Sequence, residues 1–124
     1  MTEAEIAKRL ERVRSICLAY PAVSERPSHG SSTFFVRGKT TLAYFVANHH
    51  NDGRIAIWCA APDGAQEVLV ASDPARFFRP PYVGVRGWIG IRLERPAWKL
   101  TAALIDDAYR RVAPRKLVAL LDGT

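Results

Sequence analysis

Cysteine is scarce in this chain of 124 residues: Cys17 and Cys59 are the only two, far apart and each set in an apolar pattern. That excludes a disulfide framework and a cysteine-rich metal site, and both thiols are expected to be buried and inert in a reducing compartment. No apolar run approaches the roughly 18 residues of a membrane-spanning helix, so no membrane partner is expected. The first residues, MTEAEIAKRLERVR, are charged from the third position and lack the apolar stretch of a secretion signal, so a cytoplasmic location is expected. Motifs of catalysis are missing too. Ser28, Ser31 and Ser32 lie near His29 without a Gly-x-Ser-x-Gly elbow, and Gly84, Gly87 and Gly90 run into a strand instead of forming a phosphate loop. No paired carboxylates stand out. The expectation is a protein that is not an enzyme and holds no cofactor. With no repeat, linker or low-complexity tract, residues 1–124 read as a single domain with a core of its own.

What the chain has in excess is arginine. Lys and Arg number 18 against 12 Asp and Glu, a formal charge of +6, and 14 of the 18 are arginine. Arginine makes bidentate contacts with phosphate and carboxylate and stacks on rings. The residues concentrate between Arg76 and Arg95, where RFFRPPYVGVRGWIGIRLER holds five arginines, four aromatics and a single acid, Glu94.

Periodicity supplies the elements. Thr2 and Glu5 form a capping box ahead of a helix whose apolar stripe is Ile6, Leu10, Val13, Cys17 and Tyr20, with Pro21 as its stop. After Ser32 the period becomes two. Thr33–Val36 and Thr41–Ala47 read as a hairpin turning at Gly38-Lys39, with Arg54–Cys59 as a third antiparallel strand. Pro62-Asp63-Gly64 opens a second helix with apolar positions Ala65, Val68, Leu69 and Ala71, and Phe77 and Phe78 sit in a short turn after Asp73-Pro74. Gly87–Leu93 is a fourth strand, in which Gly90 suggests a bulge or the close approach of another element. Pro96 is placed first in a third helix with the stripe Leu100, Leu104, Ala108 and Val112, and Pro114 begins a short last one carrying Leu117, Leu120 and Leu121. The order gives an α+β domain, its helices packed on one face of an antiparallel sheet.

Four passages in this order carry a resemblance: PSHGSSTFFV from Pro27, LAYFVANHHNDGRIAIWC from Leu42, APDGAQEVLVASDPARFFRPPYVGVRGWIGIRL from Ala61 and AYRRVAPRKL from Ala108. Together they resemble the MmcQ/YjbR-like proteins, the Pro-Pro-Tyr-Val-Gly…Arg-Gly-Trp run most specifically. The resemblance implies a compact α+β domain with a frataxin-like or secretion-chaperone-like arrangement, and DNA binding through a double wing.

Three candidate sites follow from the residues. In the first, Arg76, Arg79, Arg86 and Arg92 contact DNA phosphates, Tyr82 or Trp88 gives a stacking face, and Arg37 and Lys39 at the hairpin tip form a second wing. The same residues equally describe a core cluster of Phe77, Phe78 and Trp88 with a solvated arginine rim. The second is a pocket for a small anionic ligand or a protein partner where His29, Trp58, Tyr82 and Trp88 converge, with His49 and His50 beside it. The third is a metal at His29, His49, His50 and Asp52; adjacent histidines in extended backbone point opposite ways, so a hydrogen-bonded loop without metal is expected. A monomer is favoured.

Overall fold

A computed structural model of the chain describes residues 2–123. Four helices, α1 (Glu3–Cys17), α2 (Ala65–Ser72), α3 (Trp98–Val112) and α4 (Arg115–Leu121), accompany six strands, β1 (Val23–Ser28), β2 (Ser31–Val36), β3 (Thr40–Ala47), β4 (Ile55–Cys59), β5 (Phe77–Phe78) and β6 (Ile89–Arg92). The strands form one antiparallel sheet in the order β1-β2-β3-β4-β6-β5. The α+β architecture with helices on one face is therefore as expected.

The main core lies between sheet and helices. Phe34, Phe45, Ile57 and Ile91 meet Val13 and Cys17 of α1 and Ile105, Ala108 and Tyr109 of α3, while α2 and α4 pack on it through Leu69, Val70, Leu117 and Val118. α1 is capped as the sequence predicts: the Thr2 hydroxyl accepts from the Glu5 N–H at 3.1 Å and the Glu5 carboxylate accepts from the Thr2 N–H at 3.5 Å. Polar ties then fix the helices. Arg9 donates to the Leu93 carbonyl at 2.7 Å, Tyr109 donates to the Pro21 carbonyl at 2.8 Å, and Tyr20 donates to Asp106 at 2.8 Å. Burial pushes the Cys59 thiol up to about 12, and it raises the Cys17 thiol as well.

Several local expectations are corrected. Two strands were hidden: β1, whose Ser-Glu-Arg-Pro-Ser composition reads as loop, and β5, which is only the Phe77-Phe78 pair. The β2–β3 turn is centred on Arg37-Gly38, both at positive φ, with the Lys39 N–H donating to the Val36 carbonyl at 3.0 Å. That is a type I′ turn, whose twist suits a hairpin. α1 ends at Cys17, well before Pro21, so Tyr20 packs from beyond the helix. α3 begins at Trp98 and not at Pro96; of the expected stripe, Ala108 is buried and Leu104 and Val112 pack on the core, while Leu100 is 39% exposed and Thr101, Ile105 and Tyr109 complete the buried face. In α2 the buried residue is Gln66, while Val68 and Ala71 face solvent.

Candidate functional site

The sheet face opposite the helices carries its own small cluster. Val46 of β3, Ala56 and Trp58 of β4 and Phe78 of β5 are buried there, with Tyr44 and Val83 packed against them. The cover is the segment from Arg79 to Trp88 that links β5 to β6. Gln66, reaching from α2, donates from its amide nitrogen to the Gly84 carbonyl at 2.9 Å and the Trp88 carbonyl at 2.5 Å, both within the interior. Arg79 lies along the segment it begins: a Cβ at Gly84 would stand 2.7 Å from the Arg79 Cγ, so that residue must be glycine for the stem to rest there.

Between Pro80 and Val83 the chain turns very tightly. Tyr82 has φ 63° and ψ −70°, and the Val83 N–H donates to the Pro81 carbonyl at 2.7 Å. This is a γ-turn of the rarer, strained hand. It leaves the Tyr82 ring 71% exposed.

Beside Tyr82 lies a cavity of about 470 Å³ lined chiefly by His29, Tyr44, His49, His50, Trp58 and Tyr82. The three histidines are all that the chain possesses, and they arrive from two separate turns. His29 occupies the first central position of a two-residue turn with Gly30, both at positive φ, joining Ser28 to its partner Ser31. His49 and His50 follow β3 in a 3-10 turn in which Asn48, His50 and Asn51 all have positive φ. The turn is closed from within: the Asn48 N–H donates to the Arg54 carbonyl at 2.6 Å and the Gly53 N–H to the Asn48 side-chain oxygen at 2.9 Å.

This backbone overturns the expectation for the histidine pair. The left-handed His50 swings its ring back, and the two imidazoles stack with centroids 4.0 Å apart and planes 11° apart. His49 also presents an edge to Trp58 at 5.1 Å and to Tyr82 at 6.1 Å. Among the described residues, no three histidine, cysteine or acidic side chains form a group that could hold a metal ion. Asp52 is turned to its own loop, accepting from the Arg54 N–H at 2.9 Å. Among the described residues, no arginine, lysine or carboxylate lines the cavity.

The arginine surface divides. Arg79 and Arg86 are exposed on the covering segment and make no ion pair among the described residues, Arg86 lying 5.1 Å from the Trp88 ring. Arg76 is held by Asp73 at 3.4 Å and donates to the Arg95 carbonyl at 2.9 Å, and Arg92 is held by Glu94 at 2.9 Å. Those two are partly neutralised where they stand. Arg37 and Lys39 are exposed at the opposite end of β2 from His29, roughly 20 Å away by strand length. Trp88 is only 4% exposed and belongs to the main core, so it offers no stacking face and does not line the cavity.

The sequence reading missed Tyr44 and Gln66. Tyr44 was visible as the same-face neighbour of Val46 in a strand alternation, but nothing distinguished it from core. Gln66 carried no signal, because an amide in the first turn of a helix is ordinary.

A family model described as YjbR matches residues 18–111, which takes in the whole sheet and the cavity lining. No curated protein and no solved structure matches the chain. Among the described residues, no helix is long and apolar enough to cross a membrane.

Proposed function

The chain belongs to the YjbR family, and on that premise we propose that it is a non-enzymatic DNA-binding protein that grips the phosphate backbone. The observation that carries this reading is the segment Arg79–Trp88. Two arginines without acidic partners among the described residues flank the exposed ring of Tyr82 and the 78% exposed Val85, on backbone pinned from below by Gln66. A pinned loop loses little conformational freedom on binding, so more of each phosphate contact is kept as affinity. Tyr82 and Val85 supply the wedge or stacking surface that groove-binding loops use. Arg37 and Lys39, exposed at the β2–β3 tip, are the residues this reading assigns to a second stretch of backbone. The burial of both thiols supports the absence of cysteine chemistry.

Fluorescence anisotropy with a labelled duplex at several salt concentrations tests this. Each phosphate contact contributes about 0.9 to the slope of log affinity against log salt. The double variant Arg79→Ala/Arg86→Ala is therefore expected to lower that slope by about two. Absence of duplex binding at low salt, or an unchanged slope in the variant, would refute the reading.

A further inference from the structure

We infer that the cavity beneath Tyr82 is a binding site for one unstacked nucleobase, supplied by a single strand or by a free nucleotide. This goes beyond backbone binding and does not depend on it.

The lining decides the ligand class. Flat rings come from β3 (Tyr44), β4 (Trp58), the turn after β3 (His49 and His50) and the covering segment (Tyr82), with Val46 and Val83 between them. With no arginine, lysine or carboxylate among the described residues of the lining, a strongly charged ligand finds no fixed counter-charge there. An aliphatic ligand would leave the imidazole nitrogens and the Ser31 hydroxyl without partners. A planar heterocycle with donors and acceptors round its edge matches both, because its faces stack and its edge meets those groups. The volume of about 470 Å³ falls in the range of small-ligand sites.

The backbone supports the same conclusion. His29, Asn48, His50, Asn51 and Tyr82 all hold positive φ without being glycine. Asn and His enter this region readily in turns, so the weight falls on Tyr82, a bulky residue whose strained backbone is of the kind that gathers at ligand sites. Together these conformations turn rings from three connections toward one space. Tyr82 stands at its mouth, largely exposed, with its ring plane 83° from that of His49. A base entering beside His49 would gain a second aromatic neighbour from Tyr82. Duplex bases are already stacked, so the site selects single-stranded or free bases over paired ones.

The test uses the full chain and tryptophan fluorescence, since Trp58 lines the cavity. Adenosine monophosphate, a single-stranded oligonucleotide and the duplex of the same sequence are titrated separately. Saturable quenching by the monophosphate or the single strand is expected, tenfold or more weakened in His49→Ala and in Tyr82→Ala. Both variants are checked for an unchanged circular dichroism spectrum and melting temperature, and Tyr82→Phe is expected to retain binding if either alanine variant is unstable. Quenching by the monophosphate identifies a free nucleotide as sufficient; quenching by the strand alone shows that its backbone is also required. No saturable response to either, or responses in both folded alanine variants equal to the parent's, would overturn the inference. Duplex binding that falls in Arg79→Ala/Arg86→Ala but is untouched by His49→Ala reports on the surface alone, so the two readings fail independently.

Discussion

The ring of Phe78 lies directly on the backbone of Gly90, its partner across the β5–β6 pair: a methyl group built at Gly90 would meet three ring atoms at 2.5–2.7 Å. A glycine inside a strand ordinarily weakens it, and here the aromatic neighbour fills the space that a side chain would take. Gly90→Ala is expected to destabilise the fold by about 1–3 kcal/mol through overpacking. Urea unfolding would show this as a lower midpoint at unchanged slope, and adding Phe78→Leu should recover part of the loss.

Gln66 is the next lever. Gln66→Leu keeps the volume roughly but removes the amide donor to the Trp88 carbonyl, and leaves the Gly84 carbonyl with the Gly87 N–H alone, at 3.0 Å. Loss of the buried donor at Trp88 should cost about 1–3 kcal/mol unless water reaches that carbonyl. Amide hydrogen exchange is expected to quicken from Val83 to Trp88 more than in β3 or β4. Uniform protection across the chain would mean that the segment is held by other contacts.

These expectations show which parts of the molecule a sequence discloses. The helices and central strands were readable because Val13 and Cys17 in α1, or Ile55 and Ile57 in β4, recur at the period of their element. β1 was not, because a strand with one neighbour needs little apolar surface: Glu25 pairs with Arg14 and Arg26 lies 3.6 Å over Phe35. Trp88 shows a different limit. Aromatic residues serve cores and binding surfaces alike, so only the path of the chain could remove it from the surface. The histidine pair failed for a backbone reason, since the left-handed conformation of His50 is invisible in its side chain.

Tyr82 offers a test of strain against use. Glycine tolerates its positive φ, so Tyr82→Gly relieves a cost of about 1–3 kcal/mol while adding unfolded-chain entropy worth about 0.5–1 kcal/mol. The expected result is a variant no less stable than the parent, seen as an equal or higher melting temperature. A marked loss of stability would mean that the exposed ring, not the backbone, governs this position.

High pH should loosen the fold. The Cys59 thiol, raised by burial to about 12 from an ordinary 9.0, keeps its proton in the folded state while the unfolded chain releases it. Cys17 is shifted the same way by burial, as are the Tyr20 and Tyr109 phenols, Tyr20 further by its bond to Asp106. The unfolded state then binds fewer protons, so stability is complete below about pH 9 and falls as pH rises toward 12. Urea midpoints compared across that window would show the decline. In the same native protein, both thiols should resist a thiol reagent at neutral pH and react once the chain is unfolded.

The shape of the sheet's margins has a consequence for how copies of this chain behave toward each other. One margin is β5, two residues long; the other is β1, which contains Arg26 and Pro27. A two-residue strand is too short a template for another chain, and proline removes a backbone donor from the other border. The apolar strands β3 and β4 are shut in the middle of the order. A sheet with apolar central strands and open borders would otherwise be prone to strand-to-strand association, and both borders of this one are built to discourage it.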